Sequence, residues 1–394
     1  MELVELRPRT VVAGGDAIAK DGDGRVVFVT GALPGELVSA EITAVKKDFR
    51  RAAVVDVLEP HEQRQMAPCP LVRQGCGGCD LQHATPDLQR QLKRDIVVDA
   101  LTRIGHIADP VVHLGSPLPS EGYRTTMRFT VGDDGFLNLH RANSTELVRI
   151  TTCLVAHPLI DNLIANICVP GGKEVVLRAA TKVGETMIII DDQANRKSLT
   201  EEVHGVKLRV SAASFFQGRA DGAEALVDAV HEALQGAPIG PRLDAYGGVG
   251  LFSAVLSAKY PEHAGPWTIV ESSKASIADA KENMPDAFVI HSDMAKWQPR
   301  KMSAVVADPS RTGLGKPGVG VIVKTNAPVI ALVSCDAASL GRDARLLTEA
   351  GYVFEHATMV DMFPHTSHVE VVSRFVMAPK ETSAGQSSEN VAAP

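Results

Sequence analysis

Short β-rich runs separated by glycine and proline turns open the chain, at residues 26–29, 36–42 and 53–57. They predict a small all-β module over residues 1–57. A helical period follows: Leu88, Leu92, Ile96, Val97, Ala100 and Leu101 fall on one face of a helix expected from Pro86 to about Ile104. Between Tyr123 and about Ile190 the pattern alternates, as in 128–131 and 187–190, with a turn expected at Gly171-Gly172. This predicts antiparallel strands in a central region, 58–204. From 205 the rhythm changes to apolar strands (242–246, 267–271, 304–308, 329–334) alternating with helical patterns (251–259, 274–283, 339–350). That alternation predicts a mainly parallel sheet with helices on both faces, an α/β domain over 205–379. Residues 380–394 are polar and apolar-poor and read as a disordered tail.

Composition changes this picture little. The 394 residues carry a net charge of −7, so any nucleic-acid contact has to rest on local basic patches. One candidate is Lys46-Lys47-Asp48-Phe49-Arg50-Arg51, four cations around an aromatic, although a solvated hairpin tip explains it equally well. Tyr123–Phe129 mixes cations and aromatics too, and an ordinary half-buried strand is its alternative. The first residues show no signal-type apolar run and no segment approaches a membrane span, so a cytoplasmic protein without membrane contact is expected. In a reducing compartment the six cysteines read as ligands, nucleophiles or core residues.

Three chemical signals stand out. The run Asp244-Ala245-Tyr246-Gly247-Gly248-Val249-Gly250 links a strand to a helix, and its glycines let backbone approach a ligand. Glu271, Asp293 and Asp308 stand at or near later strand ends, which suits a nucleoside ligand with ribose hydroxyls and a cationic sulfonium. Each acid alone could equally be a cap or turn residue. No Gly-Lys-Ser/Thr phosphate loop is present. Second, Ser334-Cys335-Asp336 and the segment 360–370 ending in Glu370 bring a thiol and a carboxylate into the last domain. Carbon 5 of uracil becomes nucleophilic only after a group adds to carbon 6, so a cysteine and a base are what its methylation requires. Cys335 is the expected nucleophile and Glu370 the expected base; a small buried cysteine after an apolar strand is the plainer reading of Cys335. Asp308-Pro309-Ser310-Arg311 lacks the aromatic of exocyclic-amine methylation and the cysteine of cytosine-5 chemistry. Third, Cys69, Cys76 and Cys79, with Cys153 as fourth ligand, form a thiolate set whose spacing fits zinc or an iron–sulfur cluster. Cys168 reads as a core residue. His365 and His368 read as supports of the Glu370 loop rather than metal ligands.

Taken together, these residues resemble the RNA uracil-5 methyltransferases, over nearly the whole chain and in the same order. The N-terminal module resembles their TRAM barrel, an RNA-binding element. Ser214-Phe215-Phe216-Gln217 is similar to their SFFQ signature, 333–335 to the nucleophile segment, and 361–370 to the DMFPHTxHVE segment. The resemblance implies a class I methyltransferase fold and S-adenosylmethionine as donor, held by Gln217, Tyr246, the Gly247–Gly250 loop, Glu271, Asp293 and Asp308. It implies a [4Fe-4S] cluster rather than zinc on Cys69, Cys76, Cys79 and Cys153, ribosomal or transfer RNA as partner, and a monomer. This chain departs at Gly248 (cysteine in the family), Ser310 (proline), Asp336-Ala337 (Asn-Pro) and in one extra residue between Cys69 and Cys76. Asp336, beside Cys335, is expected to raise that thiol's pKa. Two other functions compete: a radical iron–sulfur methylthiotransferase, which lacks its Cys-x3-Cys-x2-Cys signature here, and a catalytically silent RNA-binding protein.

Overall fold

The computed structural model describes residues 2–191 and 197–379; the proposed tail, 380–394, lies outside them. Six strands form the N-terminal sheet: β1 (Leu3–Leu6), β2 (Thr10–Val11), β3 (Ala17–Lys20), β4 (Val26–Thr30), β5 (Leu37–Val45) and β6 (Phe49–Glu59). Their order is β1-β5-β6-β4-β3-β2, antiparallel except for β4 beside β6. Alternate residues such as Val27, Val29, Val38 and Ala40 are fully buried, as period-two patterning requires. The tract 46–51 is the β5–β6 hairpin tip, where Arg50 pairs with Glu2 at 3.1 Å and Arg51 with Asp16 at 2.6 Å. Two of its four cations are thus engaged within the barrel.

After α1 (Pro70–Arg73), α2 (Pro86–Arg103) and β7 (Val112–Leu114) come β8 (Thr126–Val131), β9 (Leu137–His140), β10 (Leu147–Arg149), α3 (Pro158–Asn166), β11 (Glu174–Ala180) and β12 (Glu185–Ile190). The five strands β10-β9-β8-β11-β12 make an antiparallel sheet. Met127 and Phe129 of the Tyr123–Phe129 tract are buried in that region's core, so most of the tract is half-buried strand.

The hairpin β13 (Ser198–Val203) and β14 (Val206–Ser211) leads into α4 (Ala220–Ala233), β15 (Arg242–Ala245), α5 (Leu251–Lys259), β16 (Trp267–Glu271), α6 (Lys274–Asn283), β17 (Phe288–His291), β18 (Ala304–Ala307), α7 (Gly315–Val323), β19 (Val329–Ser334), α8 (Ala337–Glu349), β20 (Tyr352–Met359) and β21 (Val371–Met377). A boundary at 204/205 falls within the β13–β14 turn, and the hairpin buries Val203, Leu208 and Val210 in the core of the α/β domain, with β13 against α4 and β14 against α5 and α6. The sheet runs β17-β16-β15-β18-β19-β21-β20-β7, with β21 antiparallel to both neighbours. The strands β15, β18 and β19 are buried at every position, because helices cover both faces. This is the class I methyltransferase sheet, extended by one strand.

That extra strand comes from the region before the α/β rhythm: β7 pairs in parallel with β20, and α2 packs on α8. The approach of the two helices depends on Gly341, where a Cβ would stand 2.5 Å from the Ala100 carbonyl oxygen. Among the described residues no helix is long and apolar enough to cross a membrane.

Candidate active site

In an open α/β sheet, ligands bind beyond the carboxyl ends of the strands where the chain reverses direction, here between β15 and β18. Tyr246 leaves β15 with φ of 61°, Gly248 follows at 54°, and Gly250 at 85° starts α5. A side chain at Gly247 would place its Cβ 2.8 Å from Ile269, so the loop lies flat on β16. Phe215, Phe216, Gln217, Tyr246, Gly247 and Asp308 line a cleft at this point. Phe215 is 69% exposed at the cleft. Sequence reasoning singled out only Gln217 of this tract, although the paired aromatics were visible in it.

The tract is held by a residue that sequence reasoning missed. Asp279 on α6 is fully buried, and its carboxylate accepts the Ser211 N–H at 2.7 Å, the Ser211 hydroxyl at 2.6 Å and the Ser214 hydroxyl at 2.6 Å. Only a tertiary contact across 65 residues reveals that role.

Glu271 ends β16 and its carboxylate accepts the Gly248 N–H at 3.0 Å and the Ser272 and Ser273 N–H groups at 2.7 Å each. It therefore fixes the glycine loop whatever else it contacts. Asp293 is exposed and caps a short 3₁₀ turn through the Ala295 N–H at 2.9 Å; that is the cap reading of this residue. Asp244 is completely buried beneath the loop, with one oxygen accepting the Ser253 N–H and the other unpartnered. Burial pushes its carboxyl up to about 6.

Cys335 follows β19, Asp308 follows β18, and Glu370 precedes β21, so these neighbouring strands deliver all three to one sheet edge. Burial raises the Cys335 thiol to about 11, with Glu370 and then Asp308 adding to it and Arg311 opposing. Asp308 is pushed up to about 7 by burial and by Asp244. Glu370 is raised well above the usual carboxylate range by burial and by Asp308, again against Arg311. The thiol is thus perturbed by carboxyls reaching it across the sheet edge. Asp336, expected to act on Cys335 from next door, instead turns its carboxylate to the Ser339 N–H at 2.7 Å and caps α8. The helix begins two residues earlier than its periodicity suggests for that reason.

Residues 360–370 form the β20–β21 connection, closed by the Val360 N–H donating to the Glu370 carbonyl at 2.8 Å. The central region grips it at several points. Lys93 Nζ donates to Asp361 at 2.6 Å and to the Phe363 carbonyl at 2.8 Å, with Lys93 itself fully buried. Tyr123 donates to the Pro364 carbonyl at 2.9 Å. Gln89 accepts the His365 N–H at 2.6 Å. His365 is buried at φ of 69° with its ring against Gln89, while His368 is exposed and edges onto Phe363.

Cys69, Cys76, Cys79 and Cys153 line one pocket between the cysteine loop and β9. The tight Cys76–Cys79 turn needs its glycines, since a Cβ at Gly77 would meet the Ala142 nitrogen at 2.8 Å. Cys79 is pushed up to about 12 by burial, with Cys153, Cys76 and Cys69 each adding to the shift. The Gln82 side-chain amide, hydrogen-bonding the thiol, opposes that shift. Four thiols converging on one cavity, with burial disfavouring the ionisation of Cys76, Cys79 and Cys153 on their own, fit a cationic metal group that takes thiolates. Cys168, expected in the core, is exposed instead, lying in the loop after α3.

Known proteins match this arrangement in whole and in part. Residues 4–55 match the TRAM domain. A solved structure of the Pyrococcus abyssi tRNA (uracil-54, C5)-methyltransferase with S-adenosyl-L-homocysteine superposes with a TM-score of 0.74, covering 94% of this chain and 99% of that one at 22% identity; this likeness establishes the shared fold. A Streptomyces coelicolor protein named as an RNA methyltransferase is 32% identical, over 94% of this chain and 91% of its own. Another such protein, from Streptomyces avermitilis, is 32% identical over 94% of this chain and 96% of its own. Identity of that degree along nearly the whole of both chains cannot come from one shared domain: the chain belongs to the RNA methyltransferase family of these relatives.

Proposed function

We propose that the protein methylates carbon 5 of a uridine in RNA, with S-adenosylmethionine as donor. What carries the reading is the convergence of Cys335, Asp308 and Glu370 at one sheet edge beside the glycine loop. The structural neighbour's uracil-5 activity and bound S-adenosyl-L-homocysteine support it. Gln217, Tyr246, the Gly247–Gly250 loop and Asp308 would hold the donor, with Glu271 bracing the loop and Asp293 at its margin. The donor supplies an electrophilic methyl on a cationic sulfonium.

Cys335, as thiolate, adds to carbon 6 of the uracil and makes carbon 5 an enolate carbon, which takes the methyl group. Glu370, as carboxylate, then removes the carbon-5 proton, and the electron pair left behind expels the Cys335 thiolate. Burial and the neighbouring carboxyls disfavour ionisation of both groups in the free protein. Arg311 opposes both shifts, and a bound sulfonium beside Asp308 adds to it, so donor binding moves the edge toward its ionised form. The target base has to leave the stack to reach Cys335.

The cysteine group reads best as a [4Fe-4S] site. The only ligand set of three within 4.8 Å among the described residues is His231, Glu262 and His263, so no three of these sulfurs are that close. A single tetrahedral zinc would bring them to about 3.8 Å, from Zn–S of about 2.3 Å. Bound there, the group would order the loop, and no step of the methylation requires it.

Transfer of labelled methyl from S-adenosylmethionine to separate transfer-RNA and ribosomal-RNA transcripts tests the reading. Label recovered as 5-methyluridine, and lost with Cys335→Ala, supports it and selects the RNA. Label recovered on another base, or retained in Cys335→Ala, refutes it.

A further inference from the structure

The cysteine loop does more than fold on itself. Asp80, the residue after Cys79, turns its carboxylate onto the loop that carries Glu370. One oxygen accepts the Ser367 N–H at 2.7 Å and the other accepts the Ser367 hydroxyl at 2.7 Å. The Asp80 and Leu81 N–H groups both donate to the His365 carbonyl at 3.0 Å. Four hydrogen bonds thus tie a tip that lies 287 residues away in the chain. His365 holds a left-handed backbone with φ of 69°, an unfavourable conformation for a non-glycine residue that persists only when its surroundings impose it. Gln89, fully buried on α2, grips the same residue from the other side.

The tip controls little besides Glu370. Ser367 is three residues before it, Val369 and Glu370 are buried, and β21 begins at Val371. Cys335 and Asp308 hang from β19 and β18, whereas the hydrogen bonds of Asp80 go to Ser367 and His365. The barrel reaches the same point: a Cβ at Gly15 would stand 2.6 Å from the Asp80 carboxylate. Three regions of the chain therefore meet at one acidic side chain.

We propose that Asp80 is the positioning residue of the catalytic base, through which the cysteine loop and the barrel set the location of Glu370. This rests on the uracil-5 reading. It separates two steps: Cys335 addition and methyl transfer do not need Asp80, whereas removal of the carbon-5 proton does. With Asp80→Ala, methyl transfer proceeds in a single turnover but the methylated enzyme–RNA adduct is slow to resolve.

The experiment follows the covalent adduct with uridine-containing RNA on denaturing gels, beside release of S-adenosylhomocysteine, for the whole protein with its metal content measured. Asp80→Ala is expected to accumulate adduct and to lower kcat on the order of tenfold, the scale of lost charge-assisted hydrogen bonds, with donor KM and metal content unchanged. Asp80→Asn should recover most of the rate, because its oxygen still accepts the Ser367 N–H and its amide can donate to the Ser367 hydroxyl. Asp80→Ala within twofold of wild type, or slowed before any adduct forms, or depleted of metal, overturns the proposal. RNA bearing 5-fluorouridine, which cannot lose its carbon-5 substituent as a cation, is run with the wild type. Failure of the wild type to form a trapped adduct there would count against the uracil-5 reading itself, separately from Asp80.

Discussion

Replacing Lys93 with methionine should be among the most damaging single changes outside the reacting groups. Its ammonium is 2.6 Å from Asp361, and the two side chains are 0% and 4% exposed. With an effective dielectric of about 20, attraction at that distance is about 6 kcal/mol. Burying both charges offsets most of it, and burial accordingly lowers the Lys93 pKa while Asp361 raises it. Lys93→Met removes the attraction and leaves the Asp361 carboxylate and the Phe363 carbonyl buried without this donor. The cost is about 3–5 kcal/mol. Lys93→Met/Asp361→Leu removes the stranded charge as well and should regain at least half of that loss. Urea unfolding followed by tryptophan fluorescence suits the measurement, because Trp267 and Trp297 are buried at 1% and 6% in the α/β domain. A single variant that loses less than about 1 kcal/mol, or a double variant no more stable than the single one, would refute the argument that a buried pair is costly to break by halves.

Two further outcomes follow from titrating groups. Asp308 is raised to about 7 in the free protein, and a sulfonium favours its ionised form; affinity for S-adenosylmethionine should therefore rise between pH 6 and 8, relative to the uncharged-sulfur product. Calorimetry on both ligands checks this, and parallel pH profiles would count against Asp308 as the sulfonium's neighbour. His263 is 2% exposed and lowered to about 4 by burial, Arg242 and His231. The unfolded chain binds the proton first, so this contribution is intact above about pH 6.5 and is lost as pH falls through 6.5 to 4, on the order of 3 kcal/mol in total. His263→Gln should flatten that acid limb in urea titrations; an unchanged slope would exclude His263 as its source.

The chain's local patterning by itself determined the three-part order, the glycine loop, and most elements of the α/β domain. Helix α2 illustrates both the reach and the limit of periodicity. Its stripe of Leu88, Leu92, Ile96, Val97, Ala100 and Leu101 is buried as expected, yet Gln89 and Lys93 are buried too. They are polar because they face a loop near residue 365, a fact no window of α2 contains. The pairing of β7 with β20, the Asp279 support beneath Ser214 and the Asp80–Ser367 clamp were illegible for the same reason. Cys168 and Asp336 show that residue type alone misleads: one is an exposed loop thiol and the other a helix cap. Secondary structure follows from the spacing of apolar side chains, which is written within a few turns of chain. Which polar groups find one another across the fold depends on packing the modules together, and at this site that packing sets the surroundings of Cys335 and Glu370.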